Sequence, residues 1–332
     1  MSFLSVEAKH RLKKNNLVHI SQFINWHSLI VHVKGLRSDQ GCDGYDVLGM
    51  IKALVLQAWH SLSDRELEEA LRVRMDFMVV TNLIDVPDHT TICRFRNLLI
   101  QKNLLPKILE IINADLEKKG LKVGKSVGAI VDATLIESGG RAKKVTEICE
   151  DRAEEASVHV TETYSKDSDA RWIKKGGKST FGYKSFTVVD QEDGYIEQVH
   201  VTPANEAECK QLETILNKAS KNYASLQADK AYQSSANATL LKSRGIKNRI
   251  MKKAYRNKPM RPWQKLFNKL ISKTRYKVEQ GFGTLKRRFN FRKASYFGTH
   301  KVEGQALIKA IAFNLLKAFN KITKAPVRPF AA

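Results

Sequence analysis

The chain has 332 residues, 42% hydrophobic and 27% charged, with 7 prolines and 18 glycines; about two domains' worth of such sequence excludes wholesale disorder and a fibre. Its 57 Lys and Arg outnumber 34 Asp and Glu, a formal net charge of +23 that points to a polyanionic partner or an anionic membrane surface. A membrane span is not expected, since no apolar run approaches about 20 residues; the richest stretch, 47–59, already holds Lys52 and Gln57. Lys9, Arg11, Lys13 and Lys14 are followed by no apolar core, so no signal peptide is expected. Cys42, Cys93, Cys149 and Cys209 are far apart, which suits neither a disulfide scaffold nor a cysteine zinc site. The expectation is a soluble, cytoplasmic protein.

Residues 1–122 read as helical. A strong helical run covers 45–59. Ser63 followed by Glu66 predicts a capping box opening a helix to about Arg72. After Pro87, Asp88 can cap a helix through Leu99, with Ile92, Phe95, Leu98 and Leu99 on one side and Arg94, Arg96 and Asn97 elsewhere. Three helices with a short basic last one suit a helix-turn-helix-like unit over 45–101, with Arg94 and Arg96 as candidate DNA contacts; an ordinary helical bundle with a charged surface fits the same pattern. A further helix spans 104–118.

From Ser126 the period changes. Residues 127–132 are an apolar run ending in Asp132, which predicts a buried strand. Residues 181–190 and 195–202 alternate around Asp193-Gly194, a hairpin signal. A helix over 206–220, a strand over 224–229 ending in Asp229, a helix over 234–243, a strand over 246–251 and long helices over 263–288 and 302–322 follow. This order predicts a mixed α/β layer with a central sheet, occupying 123–325. Within it, 137–178 reads as an insertion: Glu147, Glu150, Asp151, Glu154, Glu155, Glu162, Asp167 and Asp169 outnumber Arg152 and Lys166, the pattern of a mobile acidic segment.

The charge is concentrated. Residues 242–301 hold 20 Lys and Arg and one acid, Glu279. That density is the footprint of nucleic-acid contact, with Lys286, Arg287 and Arg288 inside it. Asp132 and Asp229 end strands expected to be neighbours, so their carboxylates can emerge at one sheet edge, and Glu279 lies on a helix within reach. Three convergent carboxylates among cations suit hard divalent ions, Mg²⁺ or Mn²⁺, and two such ions support in-line phosphoryl displacement. Arg275, Glu279 and Lys286 fall within about 40° of one helix face, placing phosphate-binding cations beside the acid. An Arg275–Glu279 ion pair within the helix would explain that spacing alone, but not the two aspartates.

These residues resemble the insertion-sequence transposases of the DDE class, specifically insertion-sequence family five, whose signature is Tyr-x₂-Arg-x₃-Glu-x₆-Lys. Arg275, Glu279 and Lys286 match it in register, and Ser272 stands where the pattern has Tyr. Val131-Asp132-Ala133-Thr134 and Ala228-Asp229-Lys230-Ala231-Tyr232 resemble the family's first and second catalytic strands. Phe181-Gly182-Tyr183-Lys184 and Thr202-Pro203-Ala204-Asn205 are similar to its intervening segments, with Lys184 a further candidate DNA contact. Leu62-Ser63-Asp64-Arg65-Glu66-Leu67 and Pro87-Asp88-His89-Thr90-Thr91 are similar to its N-terminal module. The resemblance covers roughly 40–320. It implies an RNase H-like catalytic domain preceded by an all-helical DNA-binding region, with Asp132, Asp229 and Glu279 as metal ligands. Arg275 and Lys286 would then contact phosphates near the scissile bond. It also implies DNA cleavage and strand transfer at terminal inverted repeats, by a homo-oligomer on DNA. An RNase H-like nuclease without joining activity, and a DNA-binding regulator or inactive element copy, are the alternatives.

Other residues stay open. His89 is a surface histidine or a phosphate contact. Trp172, beside Lys174, Lys175 and Lys178, stacks on a base or is buried at the sheet edge. Gly281 and Gly283 serve helix packing or close approach by DNA. His159 and His200 have no partner at zinc spacing, and no phosphate-binding loop of the ATP-using kind occurs.

Overall fold

The computed structural model describes residues 12, 15–33, 35–36, 44–124, 128–140, 142, 144–149, 159–164, 166–219, 222–257 and 259–324. The helical part begins with α1 (Asn16–Phe23) and α2 (Ile30–Val33), joined through a 3₁₀ turn. Then come α3 (Val47–His60), α4 (Asp64–Val73), α5 (Met75–Thr81), α6 (His89–Gln101) and α7 (Leu104–Lys118). Both predicted caps form: Ser63 and Glu66 exchange hydrogen bonds as a capping box, and Asp88 accepts from the Thr91 amide at 2.8 Å. Helix α5 is an addition to the expected three.

The sheet strands are β1 (Gly128–Glu137), β4 (Arg171–Lys175), β5 (Lys178–Asp190), β6 (Ile196–Pro203), β7 (Ser225–Ala228) and β8 (Lys247–Ile250), while β2 (Lys144–Cys149) and β3 (His159–Tyr164) form a separate ribbon. Between them run α8 (Glu208–Lys218) and α9 (Ser235–Ser243), and the chain closes with α10 (Pro262–Arg287) and α11 (Thr299–Lys324). Strand β5 pairs antiparallel with β1 and β6, and β1–β7–β8 are parallel. Taking β1, β5, β6, β7 and β8 as core strands one to five, the spatial order is 3-2-1-4-5, the RNase H-like arrangement that the resemblance implies.

Strand β1 does not end at Asp132, as the apolar run suggested. Its parallel partner stops at the Val131–Ala228 pair, but β5 accompanies it as far as Glu137. The approach at that end is close: a Cβ on Gly182 would lie 2.1 Å from the Ile136 carbonyl oxygen, so only glycine fits. Within 137–178, read above as a mobile acidic insertion, the structure places strands. The described parts of this stretch include the β2–β3 ribbon and two anchored acids; 150–158 lie outside the described residues. Asp167 is buried and accepts from Ser138 and Tyr183, and Asp169 accepts from the Thr299 amide.

Two cores sandwich the sheet. One runs without interruption from Leu17 through the helical region to Ala318 and takes in Ile130, Tyr183 and Val199. The other packs Val131, Phe186 and Ala228 against Leu212, Ile215 and Leu241 of α8 and α9. Among the described residues, no helix is long and apolar enough to cross a membrane.

Candidate active site

Asp132 and Asp229 occupy the register positions just beyond the last β1–β7 pair. Asp132 stays in the strand and Asp229 caps a short 3₁₀ turn (Lys230–Tyr232), so the end of β7 opens a gap in the sheet between them. Helix α10 crosses this gap. Ile271, Val278 and Leu285 form its buried stripe, Thr274 hydrogen-bonds to Gln227 of β7, and the Lys277 ammonium donates to the Gln191 and Glu192 carbonyls.

That seating carries Arg275 inward. Its guanidinium lies 2.6 Å from Asp132, 3.8 Å from Asp229 and 3.9 Å from Glu279. The three predicted carboxylates are thus brought around one point, and a cation of the chain holds it. Exposure rises from Asp132 (side chain 13%) through Asp229 (35%) to Glu279 (64%), a graded mouth from the sheet to solvent. Burial works to lower the Arg275 pKa, but Asp132 first, then Asp229 and Glu279, hold it above its ordinary value. Two buried polar atoms here lack a hydrogen-bond partner, the Arg275 Nε and the Tyr232 hydroxyl. Burial raises the Tyr232 pKa, and the charges of Glu208, Asp132 and Asp229 add to this. An incompletely satisfied polar centre of this kind is a mark of a site built for an additional group.

Among the described residues, no three His, Cys, Asp or Glu side chains are close enough to hold a metal as they stand. The donor set nonetheless has the right chemistry for a hard divalent cation: carboxylate oxygens only, already directed at one positive centre.

The candidate DNA contacts divide into two groups. Arg94, Arg287 and Arg288 are exposed and Lys286 is half-buried; Arg288 also lies over the Trp59 ring at 5.5 Å. Burial, then Arg292, lowers the Lys286 pKa. By contrast Arg96, read as facing away from the apolar side, points inward. It is 2% exposed, forms a two-pronged pair with Asp64 at 2.6 and 2.8 Å, and covers the Tyr296 ring at 4.1 Å. Lys184 is buried too: it donates to the Glu206 carbonyl at 2.7 Å and lies 3.8 Å from Glu208. Ser272 is exposed.

The open cases resolve as follows. His89 pairs with Glu68 at 3.0 Å. His200 meets Glu303 at 3.2 Å, while the side chain of His159 lies outside the described residues. Trp172 is 48% exposed with one side against Phe181. A Cβ on Gly281 would make only ordinary contact with Phe313, 3.7 Å away, and one on Gly283 would meet only the end of the Arg287 side chain at 3.4 Å, so packing demands glycine at neither position. Glu208 was not foreseen as a site residue. It is largely buried, and its pKa is raised by burial first and further by Asp132 and Asp229, against Lys184 and Lys175.

Residues 124–315, more than half of the chain, match the family described as the transposase DDE domain, and residues 4–98 match the transposase domain DUF772. The transposase for insertion sequence element IS1106 of Neisseria meningitidis serogroup B is 46% identical over 231 residues, 69% of this chain and 78% of that protein. Among solved structures, the piggyBac transposase synaptic complex with hairpin DNA aligns with 91% of this chain and 72% of that one, at 10% identity and a TM-score of 0.42. The Mos1 strand transfer complex aligns with 90% of this chain and 85% of that one, at 10% identity and a TM-score of 0.22. The chain belongs to the DDE-domain transposase family. It is a DDE-type DNA transposase, an enzyme class that works with divalent metal.

Proposed function

We propose that Asp132, Asp229 and Glu279 are the catalytic carboxylates, and that they hold two divalent ions, Mg²⁺ or Mn²⁺. The convergence of all three on the Arg275 guanidinium is the observation that carries this reading. Bound there, divalent ions lower the pKa of an attacking water and offset charge on the departing oxygen. The chain's own residues supply the rest. Arg275 balances the carboxylates and keeps them converged. Lys286, Arg287 and Arg288, at the exposed end of α10, hold backbone phosphates beside them, and Arg94 does so from α6. Arg96 and Lys184 act from within, Arg96 by fixing α6 to α4 and Lys184 by fixing the segment entering α8.

The substrate of this reading is duplex DNA, at the terminal inverted repeats of an insertion sequence of family five. Water forms a bond to phosphorus as the P–O3′ bond breaks. The freed 3′-hydroxyl then attacks a phosphate of target DNA, releasing a second 3′-oxygen. In this reading 1–122 is the DNA-binding region, with 45–101 as its helix-turn-helix-like part, and 123–325 is the catalytic domain. The enzyme works as a homo-oligomer on DNA in the cytoplasm, at the nucleoid and without a nucleotide cofactor. Incubation of pre-cleaved element ends with supercoiled plasmid and Mg²⁺ or Mn²⁺ tests it. Joined product is expected; plasmid nicked by the enzyme without any joined end would replace this reading by that of a nuclease.

A further inference from the structure

Strands β4 and β5 make a hairpin whose tip lies outside every role given above. Its two-residue loop is Gly176-Gly177, with φ of +56° and +82°. Two positive φ values in succession are what the tightest hairpin turn demands, and glycine supplies them without strain. The loop is therefore as short as a hairpin allows, and it fixes the register of the residues on either side of it.

The register puts Lys175 directly opposite Lys178. Like charges facing each other across a ladder destabilise it, and side-chain alternation sets Lys184 on the same face as Lys178. Lys174, Lys175 and Lys178 are all exposed. Lys178 has a carboxylate at 3.3 Å, Glu137, but both partners are well exposed, so that pair contributes little. The tip stands at the outer end of β5, nine residues along the strand from Thr187, the register partner of Asp132. Glu208 senses Lys175 together with Asp132 and Asp229, and after burial the charge of Lys175 helps to lower the pKa of both Lys184 and Lys286. Cations from β4, β5 and α10 thus influence one another on this side of the sheet, and among the described residues the anions facing them are Glu137 and Glu208. A turn whose register holds two lysines opposite each other costs stability unless an anion lies between them.

We propose that the β4–β5 hairpin is a phosphate clamp, in which Lys175 and Lys178 grip the backbone of the DNA. This rests on the chain's acting on DNA, and it adds a contact element to those of α6 and α10. Each phosphate neutralised contributes about 0.9 to the slope of log affinity against log salt.

The test is fluorescence anisotropy of the full chain on a labelled duplex of arbitrary sequence, over a KCl series, without divalent metal. Wild type is compared with Lys175→Gln/Lys178→Gln and with Lys175→Arg/Lys178→Arg, and circular dichroism checks that each is folded. The glutamine pair is expected to flatten the slope by about 1.8, and the arginine pair to keep the wild-type slope. A folded glutamine pair with the wild-type slope would overturn the clamp while leaving the α10 contacts standing. A wild-type chain that does not bind DNA would overturn the DNA reading itself, and the clamp with it.

Discussion

The Arg275 guanidinium answers three carboxylates at once, and its side chain is only 10% exposed. Removing one partner of a buried ion pair costs about 3–5 kcal/mol because the other charge is left uncompensated. Arg275→Met is therefore expected to lower the melting temperature in chelator, and Mn²⁺ is expected to restore the variant more than it raises wild type. A variant indifferent to Mn²⁺ would show that the carboxylates do not take up divalent cation. Arg96 makes a similar pair with Asp64, and Arg96→Ala should cost about 3 kcal/mol in urea unfolding. Loss of DNA affinity without loss of stability in that variant would instead mean that Arg96 reaches DNA directly.

How much of the site could be read in advance is clearest at these cations. Asp132 and Asp229 were visible because an apolar run that ends in an acid is a simple pattern, and Glu279 because it is alone among 20 Lys and Arg. The inward turn of Arg96, Lys184 and Arg275 was not read, although the period held it. Ile92, Arg96 and Leu99 share one helix stripe, as do Ile271, Arg275 and Val278, and Lys184 alternates with Phe186 and Val188. A charge on a core stripe signals a buried partner. The partners, Asp64, Glu208 and Asp132, are distant in sequence, and only the fold reveals them.

Helix α11 joins the elements that frame the site. Glu303 on it accepts from the Val201 amide of β6 at 3.0 Å, receives the Lys218 ammonium of α8 at 2.7 Å and meets His200 at 3.2 Å. Burial works to raise its pKa, but His200 and Lys218 outweigh burial and bring it down to about 2. A carboxylate depressed on folding stabilises the protein above its unfolded pKa, and that stability is lost as pH falls through the folded value. Glu303→Gln should thus cost on the order of 2–3 kcal/mol near neutral pH. The difference from wild type should shrink between pH 4.5 and about 2. Urea melts at several pH values check this, and a pH-independent difference would contradict it. The boundaries of α7, α10 and α11 were legible to within a few residues because long amphipathic periods mark them and Pro262 opens α10. The β2–β3 ribbon was not, since its sequence carries no one-sided alternation of apolar residues.

Across the whole molecule, one core ties the helical region to the catalytic sheet. Asn314 of α11 holds both the Ile196 backbone of β6 and Asn113 of α7. The helices expected to bind DNA are therefore seated on the same frame as the carboxylates. The excess charge complements this frame, because seven of the 20 Lys and Arg of 242–301 lie on α10, the helix that carries Arg275 and Glu279. A net charge of this kind provides general attraction to a polyanion.

Joint action of Asp132, Asp229 and Glu279 on DNA with divalent metal has a single decisive readout. It is tested most directly by cleavage of labelled duplex carrying the element's own ends, in Mg²⁺, in Mn²⁺ and in chelator, with wild type beside Asp132→Asn, Asp229→Asn and Glu279→Gln. Metal-dependent nicking at the element boundary is expected of wild type, and its loss in each variant while DNA binding persists. Metal-dependent nicking that survives in any folded variant would contradict joint action by the three.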